Sequence, residues 1–281
     1  MSKGFLFIAQ NNEDNYVQHA CLLAMSIHAT QKDPSICLVT NDEVPEKYKH
    51  LFDHIKEIPW SDDAQEQEWK INNRWKLYHV SPYEETIVMD TDMIVLQDLS
   101  SWWTFLSNYD LFFTSKVYTY RGEIVKDTYY RKTFIANELP KLYAGFHYFK
   151  KCAFAKEFYT WLELVMNNWE LFYGKYAKDL YQKTLSVDLS ASIVAKILDV
   201  EDMITNKKVS FPSFVHMKPR IQGWYNPSAT WQSRVGSYLT DSLDLKIGNH
   251  TQTGIFHYTE KSFANDDKIK KYERYLKIWL H

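Results

Sequence analysis

Hydrophobic residues along this 281-residue chain fall into short apolar blocks that alternate with stripes of helical period. Phe5–Ala9 and Ile36–Thr40 are apolar almost throughout, the pattern of strands buried on both faces. Between them, Val17, Cys21, Ala24, Met25 and His28 share one helical face and predict a helix over Tyr16–Ala29. A short helix opened by a proline spans Pro45–Phe52, and Ile55–Ile58 reads as a weak third strand. Asn72–Val80 is helical and Pro82 ends it. This alternation predicts an α/β class with a mostly parallel central sheet covered by helices on both faces.

The second part of the chain is less regular. A helix near Ser101–Ser107, capped by Asp98 or Ser100, leads to a strand at Leu111–Ser115. Lys116–Glu138 is polar and aromatic without clean period, and Leu142–Phe149 is a strand containing Gly145. Phe154, Phe158, Trp161, Leu162 and Val165 form one face of a helix. Asp188 is expected to cap a helix that runs through Leu198. Gly254–Tyr258 is a late short strand, and Ile269, Tyr272, Leu276, Trp279 and Leu280 mark a terminal amphipathic helix. No repeat or linker interrupts the chain. One domain over 1–281 is therefore expected, with a nucleotide and metal half (1–100) and an acceptor half (101–281).

One apolar block carries an anomaly. Thr86–Leu96 is strand-like except for Asp90 and Asp92, and aspartate is disfavoured inside strands. Alternation puts both side chains on the same side of an extended backbone. No Lys or Arg lies within the run, so the two carboxylates would repel each other and be costly to bury. A hard divalent cation bound to a diphosphate removes that conflict. A strand that ends at such a pair and leads into a turn and helix is how open α/β sheets place ligands.

Composition narrows the setting. A net charge of −2 gives no support to wholesale nucleic-acid binding. Cys21, Cys37 and Cys152 lack metal spacing and read as reduced core thiols of a cytoplasmic protein. No signal peptide or membrane-spanning run is evident, so no membrane partner is expected. Aromatic residues reach 16%, with 20 Tyr and 10 Trp, a supply of rings on which sugars or bases stack.

Lys76 through Leu99, with Met89-Asp90-Thr91-Asp92 and Val95-Leu96-Gln97-Asp98-Leu99, resembles the nucleotide-sugar glycosyltransferases of the GT-A fold, most closely family 8. The resemblance implies a Rossmann-like single domain with acceptor-side insertions. It also implies a divalent ion, Mn2+ or Mg2+, held by Asp90 and Asp92 and bridging to the diphosphate of a nucleotide-sugar donor such as a UDP-sugar. Imidazole beside carboxylates suits manganese better than magnesium. Ala9 and Asn11 fall where the family holds base and ribose, and Tyr16 where a ring stacks on the base. Asn72, Arg74 and Lys76 fall where a basic residue reaches the phosphates or sugar; Lys76 and Asp188 are carried over as catalytic. Gly145 lies beside the donor sugar, although the Asn that usually precedes that glycine is absent. The third metal ligand is a late histidine; His257 is preferred to His216 for its position, with Lys261 following for the diphosphate.

The expected activity is transfer of a hexosyl or pentosyl group to an acceptor hydroxyl, with retention implied by the resemblance. The acceptor is a glycan, a protein or DNA. Lys116–Arg121 and Lys126–Lys132 interleave basic residues with tyrosines, the composition that grips nucleic acid, so a hydroxymethylated base is a second acceptor. Ile221–Tyr225 and Trp231 are candidates for an acceptor cleft. A nucleotidylyltransferase is a rival, but Gln10-Asn11-Asn12-Glu13 lacks that class's Gly-rich basic loop; the other rival is a non-catalytic sugar- or nucleic-acid-binding module.

Overall fold

The computed structural model describes residues 2–67, 70–126, 131–179, 184–207, 210–224 and 230–278. Its main sheet contains β1 (Lys3–Ile8), β2 (Ile36–Val39), β3 (His54–Lys56) and β4 (Glu85–Met89), all mutually parallel. A second, three-stranded sheet begins with β5 (Met93–Val95). The main sheet is completed by β6 (Leu111–Thr114) and β7 (Tyr143–Lys150) in the order β3-β2-β1-β4-β7-β6, with β7 antiparallel to both neighbours. The mostly parallel sheet expected from the pattern is present, with the departure confined to one edge.

Period-two alternation sorts the side chains into two layers. Phe5 and Phe7 of β1, Ile87 and Met89 of β4 and Phe146 and Tyr148 of β7 point into one core with the helix Tyr16–Thr30. Leu6, Ile8, Val88 and Phe149 point into the other, against the helices Ala153–Asn167 and Val187–Leu198. Strands buried on both faces explain why the blocks are apolar rather than alternating.

Two strands of the late chain, β8 (Val215–His216) and, after an antiparallel meander of β9 (Ser237–Leu239), β10 (Leu245–Ile247) and β11 (His250–Thr251), the strand β12 (Ile255–His257), join β5 in the order β5-β12-β8. Thr86–Leu96 is thus not one strand. It breaks at Asp90–Asp92, and the break hands the chain from the main sheet to the small one.

Other expectations shift similarly. Asn72–Val80 is a 3-10 turn at Arg74–Lys76 followed by the helix Leu77–Val80. The helix Val187–Leu198 is capped by Ser186, whose hydroxyl accepts from Leu189 N; Asp188 sits in the first turn and is free for other partners. The terminal helix is Asp266–Leu276, capped by Asn265; Trp279 and Leu280 lie outside the described residues. So do Asp127–Tyr130 of the basic, tyrosine-rich segment, and Tyr225.

Candidate functional site

The break between β4 and β5 creates the site. Asp90 N donates to Gly145 O at 2.9 Å, tying the turn to β7, while Asp92 O accepts from Tyr258 N at 3.1 Å, tying it to the end of β12. Register pairing of Met93 with His257 then brings that imidazole beside Asp92. Donor atoms of Asp90, Asp92 and His257 all lie within 4.8 Å of one another. The late histidine preferred in the sequence is the one that joins the carboxylates. His216 stacks on His257 at 4.6 Å between ring centroids and is not part of the donor cluster.

Gly145 is present for close approach. A Cβ there would stand 2.7 Å from Asp90 Oδ2, so any side chain displaces that carboxylate.

The repulsion expected between the carboxylates from the run alone is not what the structure holds, because each already has a partner from a distant segment. Arg74 Nη1 is 2.9 Å from Asp90 Oδ1, Lys261 Nζ is 2.7 Å from Asp92 Oδ2, and His257 Nε2 is 3.0 Å from Asp92 Oδ1. Burial alone would raise the Asp92 pKa; His257 and Lys261 overcome it and hold the carboxyl well below its usual range. For Lys261 burial works downward, but Asp92 wins and the ammonium is stabilised. The Lys261 ammonium also lies 4.6 Å from the Tyr16 ring centroid, and burial raises the Tyr16 phenol.

The residues present fit a divalent ion. Two carboxylates and an imidazole converge closely enough that small side-chain rotations bring them to bonds of roughly 2 Å. His257 Nε2, 3.0 Å from Asp92 Oδ1, is the nitrogen that faces the carboxylates; its other nitrogen, Nδ1, has no hydrogen-bond partner among the described residues.

These groups open into a cavity of about 630 Å³ at the C-terminal ends of β1 and β4. Tyr16, Arg74, Asp90, Gly145, Asp188, His257 and Lys261, all expected from the sequence, line it together with Asp92. Four expected residues do not, Asn72 among them. Ala9 is fully buried and its N–H donates to Val39 O at 2.9 Å. Asn11 shapes the loop instead, accepting from Val17 N at 3.0 Å while its own N–H donates to Asp42 at 2.7 Å. Lys76 is buried, with its ammonium 2.8 Å from Asp63 and donating to Ser61 O; Arg74 is the basic residue of that turn that reaches the site.

Asp188 receives Ala144 N–H at 2.8 Å and Arg131 Nη1 at 2.9 Å, so its carboxylate is fixed beside β7. Gln10, Asp14, Lys218 and Thr259 also line the cavity. Gln10 had a signal in sequence, its place at the end of β1, and Lys218 and Thr259 lie in the two histidine segments weighed for the third ligand; Asp14 had none. Trp231 is wholly buried, donating from Nε1 to Tyr258 O at 2.7 Å, and belongs to the core rather than to an acceptor cleft.

No sequence-family model and no curated protein matches the chain. Solved structures do. The galactosyltransferase LgtC, solved with donor and acceptor sugar analogues, aligns over 98% of this chain and 94% of its own at 16% identity, with TM-score 0.52. Mouse xyloside xylosyltransferase 1 aligns over 92% and 98% at 12% identity, TM-score 0.51. GlyE of Streptococcus pneumoniae aligns over 99% of this chain at 12% identity, TM-score 0.51; the chain spans 64% of its length. The fold is that of GT-A-like glycosyltransferases, and LgtC belongs to family 8. No helix among the described residues is long and apolar enough to cross a membrane.

Proposed function

We propose that this chain is a metal-dependent glycosyltransferase that moves a sugar from a nucleotide-diphosphate sugar to an acceptor hydroxyl. The convergence of Asp90, Asp92 and His257 in the cavity wall carries the reading. A divalent ion bound there, manganese better than magnesium given the imidazole, supplies Lewis-acid stabilisation of the leaving diphosphate.

The chain's own residues account for the rest. Two carboxylates and two cations leave the centre balanced, so a dication and a diphosphate entering together keep it so, whereas either alone would unbalance it. Arg74 and Lys261 then face diphosphate oxygens at the point where negative charge grows. Tyr16, in the cavity wall, offers a ring to the base. Asp188, immobilised by Arg131 and Ala144, presents its carboxylate to the sugar. The family likeness extends the reading to retention of configuration. Cys21, Cys37 and Cys152 are all free, which accords with a cytoplasmic setting.

Replacing Asp92 with Asn should lower manganese-dependent hydrolysis of a sugar nucleotide by about three orders of magnitude and remove the thermal shift that Mn2+ produces. Unchanged turnover in a folded variant would reject the assigned centre.

A further inference from the structure

One buried polar contact joins the first turn of the helix Tyr16–Thr30 to the end of β12. His19 Nδ1 lies 2.7 Å from the Tyr258 hydroxyl, and both side chains are buried. A phenol and an imidazole are costly to bury unless each satisfies the other, so an apolar pair of similar shape would fill this space more cheaply. Satisfied polar pairs of this kind specify a geometry as well as fill a volume.

Tyr258 is the better anchored partner. Its N–H donates to Asp92 O at 3.1 Å, its carbonyl accepts from Trp231 Nε1 at 2.7 Å, and its ring stacks on Phe263 with centroids 4.7 Å apart. It stands between His257 and the turn that carries Lys261. Thr259 in that turn is held at φ +57°, where a β-branched residue is rare, with Oγ1 donating to Met217 O at 2.9 Å. Backbone and ring of Tyr258 are therefore fixed without the hydroxyl, and His257 and Lys261 with them.

The helix is the looser side. Tyr16, half-buried in the cavity wall, opens it directly after the cap residue Asn15, where helices fray. His19 follows Tyr16 by three residues, on the same helix face, and the two rings are 5.9 Å apart. What the phenol hydroxyl adds is thus the placement of that first turn against the metal and phosphate end of the site.

We propose that the His19–Tyr258 pair is a positioning contact that aligns the Tyr16 ring with Asp92, His257 and Lys261, so that the base and the diphosphate of one nucleotide are gripped together. The inference rests on the glycosyltransferase reading and adds the residues that couple the two halves of its donor site. Such coupling is read as a ratio. A nucleoside diphosphate binds more tightly than pyrophosphate only as far as the base grip is already aligned with the diphosphate grip.

The test uses the full chain with Mn2+ and titrates pyrophosphate, UDP, GDP, ADP and CDP by calorimetry. At least one nucleoside diphosphate should bind more tightly than pyrophosphate. In Tyr258→Phe, which keeps the ring on Phe263, that advantage should shrink about five- to tenfold while the pyrophosphate Kd stays within about twofold, the scale of one hydrogen bond. His19→Leu, from the other side of the contact, should do the same. His19→Asn, whose amide reaches the Nδ1 position, should recover part of the advantage. The KM for hydrolysis of the matching sugar nucleotide should rise in step, with kcat little changed. Equal weakening of pyrophosphate and nucleoside diphosphate overturns the proposal, since the pair would then only support the fold. So does an advantage that both Tyr258→Phe and His19→Leu leave intact. A wild-type chain that binds no nucleoside diphosphate overturns it together with the glycosyltransferase reading. A base advantage that depends on Tyr258, in a chain that hydrolyses no sugar nucleotide, keeps the coupling and removes the transferase reading alone.

Discussion

His147 and His257 are the same ring in two electrical settings. His147, on β7, is stacked on Phe113 at 4.9 Å with both nitrogens engaged: Nδ1 is 2.8 Å from Ala144 O and Nε2 is 2.7 Å from the Tyr159 hydroxyl. A neutral imidazole meets both contacts, donating to the carbonyl and accepting from the phenol. Burial, against a smaller opposing effect of Ala144 O, lowers its pKa to about 4. His257 is equally enclosed, but one nitrogen faces Asp92 at 3.0 Å and the other has no partner among the described residues. The first histidine is complete as part of the scaffold. The second turns one nitrogen to a carboxylate of the donor cluster, and that difference separates packing from chemistry more sharply than burial does.

The widest gap between them should come from truncation. His257→Ala is expected to reduce sugar-nucleotide turnover roughly 10²–10³-fold and to weaken the Mn2+ thermal shift measured against the variant's own metal-free melting temperature. His147→Ala should do the reverse, destabilising the fold by about 3 kcal/mol while the Mn2+ shift survives. Paired activity assays and melting curves check both, and a His257 variant that keeps its metal response would erase the contrast.

Acid sharpens the comparison at somewhat smaller scale. His147 has a folded-state pKa below the ordinary 6.5, so its neutral form favours the folded state at higher pH. As pH falls below 6.5 the unfolded chain takes up a proton that the folded chain refuses, and stability declines until about 4. The full span is worth roughly 3 kcal/mol. Asp92 behaves differently: its depressed pKa stabilises the fold above the ordinary carboxylate range and is lost only as pH drops through the lowered value. Between pH 7 and 5 the slope therefore belongs to His147, to His19, also lowered to about 4 by burial, and to His216 and His79, which burial lowers too, rather than to Asp92. His147→Phe, which keeps the ring against Phe113, should flatten urea midpoints across that window without abolishing the slope. An unaltered slope would place the acid sensitivity elsewhere.

Much of the scaffold was legible because apolar blocks and helical stripes report local period, and both faces of the sheet are buried by it. The Asp90–Asp92 pair was legible for a related reason, as a polar interruption where polarity is disfavoured. The strand break at that pair was not, since β5 is defined by a partner far along the chain, β12. Arg74 and Lys261 were placed at the site through the family resemblance, but their ion pairs with the carboxylates arise from tertiary structure, and nothing in the run announces those. The same limit explains Lys76. Arg74 and Lys76 sit on one short turn, and which of them faces the cavity depends on Asp63 and Ser61, which hold Lys76 elsewhere.

Gly145 gives the smallest and most selective test of how the histidine contrast depends on geometry. It lies on β7 two residues before His147, so a change there can disturb the scaffold histidine or the metal centre, and the structure says which. A Cβ at Gly145 would meet Asp90 Oδ2 at 2.7 Å and the Met93 methyl at 3.2 Å, while nothing of the His147–Tyr159 pair is among its nearest neighbours. Asp90 is the more movable of the two obstacles, being partly exposed and held by Arg74 alone among the ion pairs. Its carboxylate should rotate out of the donor cluster, and Mn2+ affinity should fall about 10- to 100-fold, as when a supporting contact of a metal ligand is removed. Calorimetric titration of Mn2+ into Gly145→Ala measures that loss, and the acid slope assigned to His147 should be unchanged in the same variant. Wild-type affinity would mean that Asp90 does not bind the ion, leaving Asp92 and His257 as the centre.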